Sequence, residues 1–125
     1  MTKLKLHFLL AILLIIVAVS QASNASVCQT ENVTILMISG GQHSGEDRSS
    51  SIIANINGHT LTVAFTEYLG NVTIEVKDVY GDAVDLDLIG TPNGYECYIP
   101  LAGHYTVYFK LTNGDTYYGD FDVTD

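Results

Sequence analysis

The chain has 125 residues, and its fourteen aspartate and glutamate residues outnumber its five lysine and arginine residues, which gives a formal net charge of −9 at pH 7. A chain of this length is the usual size of one domain. The acidic balance repels phosphate backbones and anionic membrane surfaces, which argues against nucleic-acid binding and favours cations or basic proteins as partners.

The N-terminus has the layout of a secretory signal peptide over 1–22. Lys3 and Lys5 form a short basic region, the following residues are almost wholly apolar, and small polar residues come next, with cleavage expected after Ala22 or, almost equally well, after Ala25. The apolar run is shorter than the ~20 residues of a membrane span. We therefore expect a secreted or periplasmic protein of the cell envelope without membrane insertion after cleavage; a retained anchor is the alternative.

The rest of the chain reads as a single domain over about 31–125, with an N-terminal strand and polar loop in 23–51 and the main part in 52–125. Apolar and β-branched residues over 33–38 predict the first strand. Residues 40–51 are rich in glycine, serine and charge and predict the longest loop. This loop is expected to separate the first strand from the others.

Residues 52–65 predict a β-hairpin, because apolar and polar residues alternate on both sides of a turn. The register that keeps every apolar residue on one face makes three pairs: Ile52 with Phe65, Ala54 with Val63, and Ile56 with Leu61. A tight turn on residues 57–58 alone would break these pairs, so the hydrophobic register is preferred.

Residues 71–88 predict a second hairpin of the same kind. A three-residue loop between Asp78 and Asp82 sets the register, and Gly81 is expected at the left-handed position of a bulge. Counting outward from this loop gives three buried pairs: Val76 with Val84, Ile74 with Leu86, and Val72 with Leu88.

The C-terminal part predicts three more strands, divided by turn signals at 90–94 and 113–114. Three alternating sets are expected to face the core: Tyr95, Cys97 and Ile99; Tyr105, Val107, Phe109 and Leu111; Tyr117, Gly119, Phe121 and Val123. Keeping Val107 opposite Phe121 requires an odd-length last loop. Tyr105 follows a glycine-containing corner, as does the tyrosine corner of immunoglobulin-like sandwiches.

Short strands with turn signals about every ten residues, and no helical periodicity after the N-terminal segment, predict an all-β fold. The economical arrangement is an antiparallel immunoglobulin-like β-sandwich of about 7–8 strands. The strand order within and between the two sheets does not follow from the pattern.

Five segments, 48–58, 61–65, 71–78, 102–105 and 118–121, resemble a family of small secreted proteins from Bacteroidetes that is catalogued as a domain of unknown function, DUF3244. The Asn-Val-Thr-Ile strand and the Gly-x-Tyr corner are also similar to the C-terminal sorting domains of the type IX secretion system. The resemblance implies an immunoglobulin-like sandwich, export and a bacterial host. It implies no known activity.

Cys28 and Cys97 are the two cysteines of the chain. Outside the cytoplasm they could form a disulfide, and a loop of about seventy residues would be worth ~4 kcal/mol in the chain-entropy model. Cys97 also alternates with Tyr95 and Ile99, which a small buried thiol explains equally well. Both interpretations stay open.

No catalytic residues are predicted, and the protein is not expected to be an enzyme. His43 lies beside Ser44, with Glu46 and Asp47 nearby, so the residue types of a hydrolase are present. Adjacent residues in a polar loop rarely have the geometry of a triad, and we expect His43 to be solvated.

An acidic cluster is the one candidate for a cofactor, a calcium ion. The predicted register turns Glu75 outward opposite Asp85, with Asp87 opposite Thr73, and Ca²⁺ takes six to eight oxygen ligands. The alternative is a charged outward face that blocks edge-to-edge aggregation.

A candidate binding face comes from Tyr108 and Tyr118, which the alternation turns outward beside Lys110 and Asp120. Exposed tyrosines offer rigid, amphipathic contact area for proteins or sugar rings. The alternative is that β-propensity alone explains them.

Three functions fit these observations. The first is a non-enzymatic secreted or periplasmic module that binds another envelope or secreted protein. The second is a carbohydrate-binding module that takes polysaccharide on the Tyr108 and Tyr118 face. The third is a structural subunit that assembles through a strand edge, and the oligomeric state is left open.

Overall fold

The computed structural model describes residues 30–38 and 47–125; the predicted signal peptide, Cys28 and His43 lie outside these residues. The described part contains one short 3₁₀ helix, Ser49–Ser51, and nine strands. The strands are β1 (Thr30–Val33), β2 (Leu36–Met37), β3 (Ile52–Asn57), β4 (Thr60–Phe65), β5 (Asn71–Asp78), β6 (Ala83–Gly90), β7 (Tyr95–Tyr98), β8 (Gly103–Leu111) and β9 (Thr116–Val123). Among these residues, no helix is long and apolar enough to cross a membrane.

The strands form two antiparallel sheets. Their orders are β1-β3-β4-β7 in the four-stranded sheet and β2-β9-β8-β5-β6 in the five-stranded sheet. Alternate side chains of both sheets meet in one core, in which the rings of Phe65 and Phe109 lie edge to face with centroids 6.4 Å apart. The predicted antiparallel β-sandwich is therefore confirmed, with nine strands in the described residues instead of seven or eight.

The additional strand arises at 33–38, where the prediction of a single strand is wrong. The chain pairs with β3 as far as Val33, crosses at Thr34 and Ile35, and then pairs with β9 in the other sheet. The crossing runs close over Gly119 of β9, where a Cβ atom would lie 2.7 Å from Val33 Cγ1. One short segment therefore supplies an edge strand to each sheet.

The β3–β4 hairpin has the predicted register. Ile52 pairs with Phe65, Ala54 with Val63, and Ile56 with Leu61, and all six side chains are buried. The hydrophobic pattern identified this register because both strands place one face on the core.

The predicted loop of the central hairpin is confirmed. Asp78 N–H donates to Asp82 O at 3.0 Å, and Gly81 N–H donates to Asp78 O at 3.1 Å. Asp78 Oδ1 accepts from the backbone N–H groups of Tyr80 and Asp82, as in an Asx turn. Gly81 has a φ of +83°, the left-handed conformation that the bulge requires.

Gly81→Val is expected to destabilise the domain by about 1–2 kcal/mol, because a side chain resists left-handed φ. A Cβ at Gly81 would meet nothing within 4 Å, so backbone strain is the only cause. Urea denaturation gives the change, with Tyr80→Ala, at an exposed loop position, as the control. An equally stable Gly81→Val variant would contradict this loop conformation.

The predicted register beyond this loop is wrong by one residue. Lys77 pairs with Ala83 but Val76 pairs with Asp85, so Val84 is an extra residue in β6. An inserted residue turns every following side chain to the other face. Three side chains expected in the core are instead exposed and form the β6 stripe: Val84, Leu86 and Leu88.

The β8–β9 hairpin keeps the predicted faces with a different register. Val107 pairs with Gly119, and Phe121 pairs with Tyr105, because the odd-length turn is centred on Asn113, one residue earlier than Val107 opposite Phe121 would need. A shift of two residues leaves the same side chains in the core. Tyr105 Oη donates to Leu101 O at 2.7 Å, which confirms the tyrosine corner.

Candidate functional site

The predicted tyrosine face forms on the outer face of the five-stranded sheet, the face turned away from the core. Tyr108 and Tyr118 are direct cross-strand partners, called here the tyrosine pair, and both rings are half-buried. Lys110 and Asp120 are exposed on the same face. The Thr106 hydroxyl donates to Asp120 Oδ1 at 2.6 Å.

Sequence reasoning missed one contact of this face. Lys77 on β5 places its Nζ 5.5 Å from the ring centroid of Tyr108, within reach of a cation–π interaction. The same Nζ lies 3.5 Å from Glu75 Oε1. The alternation of β5 predicted that Lys77 faces outward, but only the pairing of β5 with β8 brings it over Tyr108.

A continuous row of paired residues crosses all five strands of this sheet. From one edge to the other the row contains Leu36, Tyr118, Tyr108, Glu75 and Leu86. The two ends of the row are apolar and exposed, with 50% of Leu36 and 62% of Leu86 accessible. The tyrosine pair is therefore flanked by uncovered leucines at both sheet edges.

The β6 stripe extends the apolar surface along one edge, since 40% of Val84 and 62% of Leu88 are exposed as well. Alternation within 83–90 indicated two faces, one apolar and one acidic. Ile89 lies in phase with Asp85 and Asp87 along this strand, and it faces inward and packs against the core. It was the only residue whose position indicated that the two aspartates share the inner face.

The predicted calcium arrangement does not form, because the extra residue in β6 separates its ligands. Glu75 is paired with Leu86 and faces outward, whereas Asp85 is turned toward β7 and accepts a hydrogen bond from Tyr95 Oη at 2.5 Å. Asp87 shares the inner side with Asp85. Within 30–38 and 47–125 there is no group of three His, Cys, Asp or Glu side chains that could hold a metal ion.

The contact of Asp85 with Tyr95 places a carboxylate at the margin of the core. Burial and this hydrogen bond raise the pKa of Tyr95, so the phenol stays a donor. Burial likewise raises the pKa of the Cys97 thiol. Cys97 is buried, and because Cys28 lies outside the described residues the disulfide stays a prediction.

Comparison with known proteins identifies the family. The family model described as a domain of unknown function, DUF3244, matches residues 38–123, which is more than half of the chain. The chain belongs to the DUF3244 family. The predicted resemblance to this family is confirmed, whereas the similarity to sorting domains stays a prediction.

Solved structures show the same fold. A crystal structure of a DUF3244 family protein from Bacteroides vulgatus, with an immunoglobulin-like β-sandwich fold, superposes with a TM-score of 0.62 at 17% sequence identity. The match covers 75% of this chain and 98% of that chain. The predicted immunoglobulin-like fold is thereby confirmed. A search of curated proteins found no match.

An open depression of about 340 Å³ lies on the described part of this DUF3244 domain, between Arg48, the β4–β5 connection and the β8–β9 loop. It is lined by Arg48, Tyr68, Leu69, Gly70, Leu111, Thr112 and Asn113. Arg48 is engaged twice: its guanidinium pairs with Glu67, and its backbone N–H donates to Tyr117 Oη at 2.9 Å. The lining residues include no histidine, aspartate or glutamate.

His59 of the DUF3244 domain links a turn to the C-terminus. Its Nδ1 lies 2.7 Å from Ile99 O and its Nε2 lies 2.6 Å from Asp125 Oδ1. Both partners are acceptors, and only the protonated imidazole can donate from both nitrogens. The Ile99 carbonyl, and after it the Asp125 carboxylate, therefore raise the pKa of His59 above 6.5.

Asp125→Asn is expected to lower the pKa of His59, because it removes the negative charge from one acceptor. A raised folded-state pKa contributes stability that is fully present below about pH 6.5 and is lost as the pH rises through the folded-state value. An NMR titration of the His59 ring measures both pKa values. Identical titrations of the wild type and the variant would contradict this ion pair.

Proposed function

We propose that this DUF3244 domain is a non-enzymatic, secreted or periplasmic module of the bacterial envelope that binds another protein through the outer face of the five-stranded sheet. The observation that carries the proposal is the row from Leu36 to Leu86, in which exposed leucines flank the tyrosine pair. Aromatic residues that share a surface with exposed apolar side chains are typical of protein–protein interaction sites.

The side chains on this face suit a protein better than a polysaccharide. A sugar ring stacks on the open face of an aromatic ring, and Lys77 already lies over Tyr108. Lys77 and Lys110 sit among Glu75 and Asp120, a mixture of charges that matches the polar rim of a protein interface.

The non-enzymatic part of the proposal is supported by the contacts of the reactive side chains. Ser51 Oγ donates to Glu67 Oε2 at 2.8 Å, His59 is held between Ile99 and Asp125, and the Cys97 thiol is buried. These contacts give each group a structural role. The location rests on the predicted signal peptide.

Site-specific photo-crosslinking in the native envelope tests this proposal. A photoreactive amino acid at Lys110, on the outer face, is expected to yield one saturable crosslinked protein. The matched control is Thr62, which is exposed on the outer face of the four-stranded sheet and is expected to yield none. Equal products from both positions, or none from Lys110, would overturn the proposal.

The tyrosine pair gives a second arm. Replacing Tyr108 and Tyr118 with serine is expected to abolish the product from Lys110 while far-ultraviolet circular dichroism stays unchanged. A different result would favour the carbohydrate-binding function: the wild type binds envelope polysaccharide on a glycan array, the double variant does not, and the product from Lys110 is unchanged.

A further inference from the structure

We propose that the free edge of β6 accepts an extended segment of the partner protein as a sixth strand, and that this segment alternates basic and apolar residues. The inference deepens the proposed function, on which it rests, by naming where and how the partner binds. Addition of a peptide to a sheet edge takes affinity from main-chain hydrogen bonds and specificity from alternate side chains.

β6 is the longest edge strand of the two sheets in the described part of the chain. It has eight residues, whereas β1 and β7 have four each and β2 has two. It contains neither proline nor lysine; the devices that protect it are the bulge at Val84 and the inward-pointing Asp85 and Asp87, whose charge repels an acidic strand but not a basic one. Beyond the bulge at Val84, residues 85–90 pair with β5 without a further register shift and leave room for a segment of about six residues.

The backbone of β6 is turned outward at the two leucines. Thr91 N–H donates to Gly70 O at 3.1 Å, and hydrogen bonding alternates along an antiparallel pair. Counting back from Thr91 in steps of two shows that the backbone groups of Asp87 bond to β5. The backbone groups of Leu86 and Leu88 point away from β5. In agreement with this direction, Leu88 N–H donates to Asp87 Oδ1 at 2.8 Å and not to β5.

Side chains on the two sides of this edge determine which segment fits. The β6 stripe lies on the outer side, and residues opposite it on an added strand would be apolar to cover it. Asp85 and Asp87 lie on the inner side, so the alternate residues of the added strand would face carboxylates. Basic residues at those positions satisfy this charge.

A second copy of this chain fits the same edge poorly. Pairing β6 with β6 would bring the aspartates of the two copies together, and like charges facing each other across strands are destabilising. The whole chain carries a net charge of −9, which adds repulsion. The charge pattern therefore selects a basic partner segment.

A synthetic peptide tests the inference with purified protein. The probe is a capped hexapeptide of alternating valine and lysine, and the matched controls are the same peptide with glutamate in place of lysine and the valine–lysine peptide N-methylated at alternate residues. We expect the valine–lysine peptide to bind at least about tenfold more tightly than either control, a difference of 1.4 kcal/mol. NMR should show new amide protection at Leu86.

Variants of the edge separate charge from backbone pairing. Asp87→Asn should weaken the valine–lysine peptide about tenfold, and Leu86→Ser should weaken it as well, whereas Leu101→Ser, at an exposed position in the β7–β8 connection, should leave binding unchanged. If Leu86→Ser does not fold, N-methylation of the peptide still tests the edge.

Three results would overturn the inference. Equal binding of the lysine and glutamate peptides would show that the edge does not select a basic segment. NMR shifts at the tyrosine pair without shifts in β6 would show that the peptide binds the tyrosine pair and not the edge. Concentration-dependent dimers by light scattering, lost in Leu86→Ser, would make a second copy the occupant. In each case a crosslinked partner obtained from Lys110 and not from Thr62 would still support the proposed function, so the two failures are distinguishable.

Discussion

Replacement of Tyr117 by alanine is expected to lower the free energy of unfolding by about 3–5 kcal/mol, the cost of removing a large buried aromatic ring. Tyr117 has no exposed surface and is the largest fully buried side chain of the described core. It is paired across the strands with Phe109, which is also fully buried. The cavity would open in the core between the two sheets, beneath β9 and beside Phe109.

Two variants separate the contributions of this residue. Tyr117→Phe keeps the ring but removes the acceptor for Arg48 N–H, and should cost about 1–3 kcal/mol. Tyr118→Ala changes the next residue along β9, which faces outward, and should cost under about 1 kcal/mol. Urea denaturation measures all three. Equal losses for Tyr117→Ala and Tyr118→Ala would contradict the assignment of the two faces of β9.

The parts of the fold that sequence reasoning predicted correctly are those with one well-defined buried face. In the β3–β4 hairpin, a register slipped by one residue would have buried polar residues, and the pairing of Ile56 with Leu61 keeps every apolar side chain on the core face. In β8 and β9 the faces followed in the same way, even though the register was wrong by two residues. The tyrosine corner at Tyr105 depends on a local contact, and local contacts are readable from sequence.

The β6 strand shows why the rest could not be predicted. Its alternation indicates that one face is apolar, but it does not indicate whether that face meets the core or the solvent. The extra residue, Val84, turns the apolar face to the solvent. Asp85 can face inward because Tyr95 of the other sheet donates to its carboxylate. That contact joins the two sheets. It depends on the strand order, which the alternation of apolar and polar residues does not predict.

The candidate site divides in the same way. Tyr108 and Tyr118 followed from alternation within their own strands, whereas the position of Lys77 over Tyr108 requires the pairing of β5 with β8. The calcium arrangement of Glu75 and Asp85 depended on the wrong register and fails with it. Uncovered leucines at both edges of the face became visible only once the sheet order was known.

Gly119→Val is expected to destabilise the domain by about 3 kcal/mol, at the upper end of the range for overpacking a core. The segment that links β1 to β2 crosses directly over Gly119. A Cβ atom there would lie 2.7 Å from Val33 Cγ1, 2.9 Å from Ile35 Cδ1 and 3.0 Å from Thr34 O. The two side-chain ends can move, but the carbonyl moves only if the crossing itself is displaced.

A double-mutant cycle gives the cause of this loss. Val33→Ala removes the methyl group nearest to the new side chain, so it should destabilise the wild type but restore part of the stability of Gly119→Val, a coupling of about 0.5–3 kcal/mol. Asp120→Val places the same side chain one residue away, on the exposed face, and should change stability by under about 1 kcal/mol. Losses that simply add for Val33→Ala and Gly119→Val would show that the crossing does not rest on Gly119, and that the two edge strands are held by their pairing with β3 and β9 alone.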